Sequence, residues 1–230
     1  MTGLRRHFHT SIDSKAFVAL SGLFLAGFVV VHMLGNLQIF EGPAALNAYA
    51  ATLRDMPMLL WTVRVGLLGL FVTHHVVALR LAARNRAARP VAYAQRDYRC
   101  ASLASRTMAI SGAVLLLFVA FHLLHLTLGV VDISYSERLD ALGHRDVFAK
   151  VVHAFQQPWF ALVYLAAQAV LGLHLSHAIS SSFQTLGMEH PTFNPLIRGL
   201  GPAVAWAVVL GNVAIVSAVF FGLVRTSGGA

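Results

Sequence analysis

The chain has 230 residues, 57% of them hydrophobic and only 11% charged, with a mean hydropathy of +0.70 and a formal net charge of +8. That composition excludes an ordinary water-soluble domain and points to an integral membrane protein. One cysteine, Cys100, excludes an internal disulfide and a cysteine-ligated iron–sulfur cluster, and no C-x-x-C-H motif is present to attach haem covalently.

Apolar segments fall at about 17–38, 58–82, 107–131, 159–182 and 203–224. Each is close to the roughly 20 helical residues that cross about 30 Å of hydrocarbon. The expected fold is therefore all-α, a single transmembrane domain of five helices spanning 1–230. The first segment, with "FVVVHMLGNLQIF", holds one histidine, His32, and closes on Asn36, Gln38 and Glu41. It begins too deep, and runs too long without a small-residue cleavage site, for a removable signal peptide. The second carries Arg64 and the doublet His74-His75, and leads into the basic run "RLAARNRAARPVAYAQRDYR". Arg106 opens the third segment, which holds His122 and His125; the fourth holds His174 and His177.

The arginines set the expected orientation. Arg5, Arg6, Lys15, the run from Arg80 to Arg99, Arg106 and Arg198 share one side if the N-terminus is cytoplasmic, which places the C-terminus outside. This basic face suits lipid headgroups or an acidic cytoplasmic partner. No recognisable nucleic-acid module surrounds it, so nucleic acid is not an expected partner.

A buried imidazole costs several kcal/mol unless something satisfies it. His32, His74, His122 and His174 each lie about two-thirds of the way along their helices. Because successive helices run in opposite directions, His32 and His122 share one half of the bilayer, and His74 and His174 the other. Two such pairs, roughly 10 to 15 Å apart along the membrane normal, suit the axial positions of two haem irons. The carbonyls of Phe28, Leu70, Phe118 and Val170, four residues back, are the expected acceptors for Nδ1. Gly22, Gly27, Gly66, Gly69, Gly112 and Gly172 would let helices approach a flat macrocycle. His74 and His75 diverge by about 100 degrees, so only one can face a given site, and periodicity does not choose. His125 and His177 are alternative ligands, or contacts for propionates, quinone or water. His7, His9, His144, His153 and His190 read as surface residues.

"SKAFVALSGLFLAGFVVVHMLGNLQIF", "HHVVALRLAARNRAARPVAY", "SGAVLLLFVAFHLLHLTLG" and "LGLHLSHAISSSFQTLG" together resemble the single-chain, five-helix, two-haem cytochrome b anchor of succinate dehydrogenases and fumarate reductases, respiratory complex II. The most specific elements are H-x-L-G-N after helix one, N-R-x-A-R-P after helix two, and H-L-x-H followed by F-Q-T-L-G at the end of helix four. The resemblance implies two haem b groups, His32 with His122 holding the distal one and His74 with His174 the proximal one. It implies a flavoprotein and an iron–sulfur subunit docked on the cytoplasmic face of the inner membrane. Electrons would pass from the iron–sulfur subunit through proximal and distal haem to a membrane quinone, menaquinone by this type. The chain itself would do no chemistry on succinate, and the whole complex is open to oligomerisation.

Propionate or quinone contacts are expected among Arg64, Arg106, His75, His125, His177, Asn36 and Gln38, with an inner quinone site near Ser21, Arg80 or His177 as the alternative. The competing readings are a haem b anchor of a formate dehydrogenase or hydrogenase, and a transporter using histidines as proton or metal sites. The sequence lacks the internal repeats and broken helices of such a transporter.

Overall fold

The computed structural model describes residues 10–89, 91 and 101–226. Arg5, Arg6, His7, His9, Pro90, Arg96, Arg99 and Cys100 lie outside the described residues. In chain order the helices are α1 (Ser11–Asn36), α2 (Pro43–Arg54), α3 (Pro57–Ala87), α4 (Leu103–Arg106), α5 (Met108–His122), α6 (Val147–Gln156), α7 (Pro158–Thr185) and α8 (Asn194–Phe220). A 3-10 turn, Leu37–Glu41, extends α1, and a π turn, Leu123–Thr127, extends α5. No strand forms among the described residues, where Leu139 and Arg145 make one isolated bridge. Five helices, α1, α3, α5, α7 and α8, are long and apolar enough to cross a membrane. The protein is thus an all-helical, multi-pass membrane protein by length and composition.

Local chemistry sets the helix ends. Thr10 caps α1 by accepting from the Asp13 amide at 3.1 Å, and Asp13 sits in the first turn, where a negative charge favours the helix dipole. Pro43, Pro57 and Pro158 start α2, α3 and α7, at positions where a missing N–H costs nothing. Gly42, with φ of 97°, turns the chain between the 3-10 segment and α2. The third span stops at Thr127, short of the expected 131, because the π turn and Gly129 (φ 68°) lead the chain out of the bundle. The fifth starts at Asn194, well before the expected 203, and runs through Pro202.

Pro202 is tolerated because a neighbour supplies the missing donor. Its lost N–H would have served the Arg198 carbonyl; instead the Ser180 hydroxyl of α7 reaches the carbonyls of Ile197 (2.8 Å) and Arg198 (3.4 Å). Gly201 makes the approach of the two helices close enough, since a Cβ there would lie 2.5 Å from the Ser176 carbonyl oxygen. The antiparallel α7–α8 pair is the centre of the bundle, with α1 packed on both helices. Ala26, Leu175, Ile179, Ala205 and Val208 form this seam.

The second cluster joins Ile39, Leu46, Phe148, Val152, Phe155, Tyr164 and Val219, so the short helices α2 and α6 close one end of the bundle, here the capped end. Sequence reading had no expectation for these two helices. Buried Asn47 ties them together, giving Nδ2 to Asp146 Oδ1 and accepting the Phe148 amide, both at 3.0 Å. At the periphery, α3 packs on α1 and α5 yet buries none of its residues. Large apolar side chains such as Phe24, Leu117 and Trp206 are exposed, as lipid-facing residues are.

Candidate histidine-pair site

At the capped level α1 and α5 bring two histidines together. The rings of His32 and His122 stand 5.9 Å apart, centre to centre, with planes 85° apart. Two imidazoles on one metal ion have ring centres about 6 Å apart, from two bonds of about 2 Å plus half of each ring. His122 Nδ1 lies 3.3 Å from the Tyr164 hydroxyl of α7, and His32 stacks on Phe28. His32 Nε2 is 3.2 Å from Asn36 Nδ2, a contact that a metal bond to that nitrogen would replace.

Eleven residues earlier on the same two helices are Ser21-Gly22 and Ser111-Gly112, about 16 Å away along the helix axis. They receive the other two histidines. His74 Nδ1 is 2.8 Å from Ser21 Oγ, and His174 Nδ1 is 3.0 Å from Ser111 Oγ. Each serine has one hydroxyl proton and a carbonyl of its own helix within reach, Ser21 that of Phe17 (2.7 Å) and Ser111 that of Met108 (3.1 Å). With the proton on that carbonyl, the oxygen is an acceptor, and the imidazole donates from Nδ1 and carries its lone pair on Nε2, the tautomer that metal ligation through Nε2 requires. The glycines make room: a Cβ at Gly22 would come within 3.2 Å of His74 Cε1, and one at Gly112 within 3.6 Å of His174 Cε1.

The expected acceptors were the carbonyls four residues back, and for His74, His122 and His174 the structure corrects this. Their Nδ1 atoms meet hydroxyls on neighbouring helices. A carbonyl of that kind is used by His75, whose Nδ1 is 2.9 Å from the Phe71 oxygen while its Nε2 is 3.2 Å from the Gly112 oxygen. Both nitrogens of His75 therefore face carbonyls, whereas among the described residues no hydrogen bond engages Nε2 of His122 or His174, and His74 has the Val18 backbone as a partner beside Ser21. These three rings are half-exposed, and His32 is exposed, although all four sit within a bundle of apolar helices.

Other expected residues fall as follows. His125 is 1% exposed, lies against Phe160 and Phe121, and places Nδ1 3.2 Å from the Tyr164 hydroxyl. Arg64 lies over the Trp61 ring of its own helix, 5.3 Å from its centre. Arg106 ends the short α4 and is exposed; His177 is half-buried one turn beyond His174; Gln38 is half-buried in the 3-10 turn. Arg80 and Arg84 line a small notch with Ser14 between α1 and α3 at the open end. Gly172 packs on Val209 of α8, so it serves helix packing, while Gly27, Gly66 and Gly69 face open space. His153 is not a plain surface residue: it stacks on Tyr135 and reaches Asp132 at 3.3 Å. Asp132, although burial raises its pKa, is held below the usual carboxylate value by the Ser134 amide and hydroxyl and by His153 and His125.

The residues missed by sequence reading are Ser111 and Tyr164, together with the role of Ser21. A signal for the serines was present: Ser-Gly recurs eleven residues before a histidine in both α1 and α5. Tyr164 had no comparable signal.

A planar iron macrocycle fits this donor set. His32 and His122 face each other, and His74, His122 and His174 have Nδ1 at a hydroxyl, the arrangement in which a neutral histidine binds haem iron through Nε2. No group of three or more His, Cys, Asp or Glu side chains able to hold a bare metal ion occurs among the described residues. Comparison with protein-family models, with curated proteins and with solved structures finds no match to this chain.

Proposed function

We propose that the chain is the cytochrome b membrane anchor of a succinate:quinone oxidoreductase, a non-catalytic electron-transfer subunit with two haem b groups. One observation carries the haem part: four imidazoles from the first four long helices, in two levels, with hydroxyl partners on three Nδ1 atoms. His32 and His122 would hold the haem at the capped level, and His74 and His174 the one at the other level. His74 is the choice over His75 because both nitrogens of His75 are directed at carbonyls. The bound haems would supply one-electron carriers at two depths.

The chain's own residues do the remaining work. The serine and tyrosine hydroxyls hold the rotation of His74, His174 and His122 and accept from Nδ1 when Nε2 ligates. The apolar helices exclude water. The arginine distribution supports a cytoplasmic open end and an outer capped end, and the basic segments at the open end suit partner subunits that bring the flavin and the clusters. The succinate assignment rests on the H-x-L-G-N, N-R-x-A-R-P and F-Q-T-L-G elements. A membrane quinone, menaquinone by that resemblance, would take the electrons.

Purification from native membranes tests the reading. The expected result is two low-spin b-type components per chain, with a flavoprotein and an iron–sulfur protein copurifying and succinate reducing both components. Formate- or hydrogen-dependent reduction would move the chain to another anchor class, and absence of a b-type spectrum would refute the haem assignment.

A further inference from the structure

Tyr164 occupies a position that the inner pair has no counterpart for. Its hydroxyl stands between two imidazole nitrogens, 3.3 Å from Nδ1 of His122 and 3.2 Å from Nδ1 of His125. One hydroxyl can donate once, and among the described residues its contacts are these two imidazole nitrogens. If Nε2 of His122 is occupied by iron, Nδ1 carries the proton and donates to the tyrosine oxygen; His125 Nδ1 is then the acceptor left for the tyrosine's own proton. His125 in turn holds its own proton on Nε2, the buried atom with no hydrogen-bond partner among the described residues. The metal bond therefore selects the direction of the whole chain, which is free to run the other way without it.

The backbone is shaped for this contact. A π turn follows His122 directly, with the Leu128 amide reaching back to the Leu123 carbonyl at 2.8 Å, and His125 sits within that turn. π turns recur at functional sites. Phe121 and Phe160 hold the His125 ring, with Phe160 at 4.1 Å between ring centres. Phe118 and Phe155 hold the Tyr164 ring at 5.2 and 4.9 Å. At the other level the serines give their protons to their own backbone, so no third side chain is linked to the ligand there.

We propose that Tyr164 and His125 are positioning residues that set the reduction potential of the outer haem, the tyrosine by accepting from Nδ1 of His122 and His125 by holding that hydroxyl in the donating sense. This rests on the haem reading above. A hydroxyl that donates is a better acceptor, and an imidazole that donates to a better acceptor is a stronger donor to iron. A stronger imidazole ligand stabilises the oxidised iron, so loss of the chain raises the potential.

The test uses the whole membrane complex, titrated by visible spectroelectrochemistry with low-spin signals followed by electron paramagnetic resonance. Tyr164→Phe should raise the outer midpoint by about three- to tenfold in the one-electron equilibrium, where tenfold is about 59 mV, and leave the inner component in place. His125→Phe, an apolar ring in a site already lined by phenylalanines, should raise it less. The double variant should match Tyr164→Phe alone, because His125 acts only through the tyrosine. Two haems with an unmoved outer potential in Tyr164→Phe, or additive shifts in the double variant, would overturn the proposal while leaving the haem reading intact. A wild-type complex without b-type haem would overturn both. If Tyr164→Phe does not assemble, an unmoved outer potential in His125→Phe overturns the proposal by itself.

Discussion

Replacing Ser21 by alanine removes one oxygen, yet on the proposed haem reading it should weaken haem binding at the His74–His174 level specifically. Ser21 is 3% exposed and its oxygen is 2.8 Å from His74 Nδ1. Ligation through Nε2 requires the proton on Nδ1. Without Ser21 that N–H loses its hydroxyl acceptor, at about 1–3 kcal/mol, with the Val18 backbone as the partner left beside it. The empty site escapes this cost, because the imidazole can move its proton to Nε2. The penalty therefore falls on the loaded state alone and appears as a loss of haem affinity of about 10- to 100-fold, the usual range for removing a partner of a metal-bound histidine. The assay is transfer of haem from the detergent-solubilised complex to excess apoprotein acceptor, followed through the reduced-minus-oxidised spectrum of each component. Ser180→Ala is the control, since that hydroxyl bonds the Ile197 carbonyl in the α7–α8 seam and touches neither histidine level. Unchanged retention of the inner component in Ser21→Ala, or loss of the outer component instead, would refute the tautomer argument.

Three further outcomes are expected. His74→Ala should abolish the inner low-spin signal, whereas His75→Ala should keep it, as judged by paramagnetic resonance of the oxidised complex; the reverse result would exchange the two roles. Asn47→Ala should destabilise the cap by about 2–4 kcal/mol, because it strands the buried Phe148 amide and removes the bond to Asp146, and thermal unfolding in detergent measures it. Asp132 has a folded-state pKa below its ordinary value of 3.8, so its contribution to stability is full above that value and is lost as the pH falls through the folded-state pKa. Asp132→Asn should accordingly flatten the acid limb of the stability–pH profile, and an unchanged limb would assign acid sensitivity to other groups.

The long spans were legible because lipid demands them: about 20 apolar residues per crossing leave a signal that no tertiary contact has to supply. The alternation of helix direction then placed His32 beside His122, and the structure has their rings 5.9 Å apart. Helix ends were read less well. The stop at Thr127 depends on a π turn, and the early start of α8 on a serine from another helix that relieves Pro202. The capping helices α2 and α6 are too short to declare themselves and form because Asn47, Phe148 and Phe155 find partners distant in sequence.

Apolar length and chain reversal are local quantities, and they suffice for a helical membrane protein with four histidines at two levels. Which oxygen meets each imidazole nitrogen is a matter of tertiary packing. A neighbouring helix presents that oxygen within about 3 Å, and a hydrogen bond of that length is set by rotation and packing, to which hydropathy is blind. So Ser21 and Ser111 came to share one task although they lie on different helices, and His75, adjacent to His74, was turned toward carbonyls.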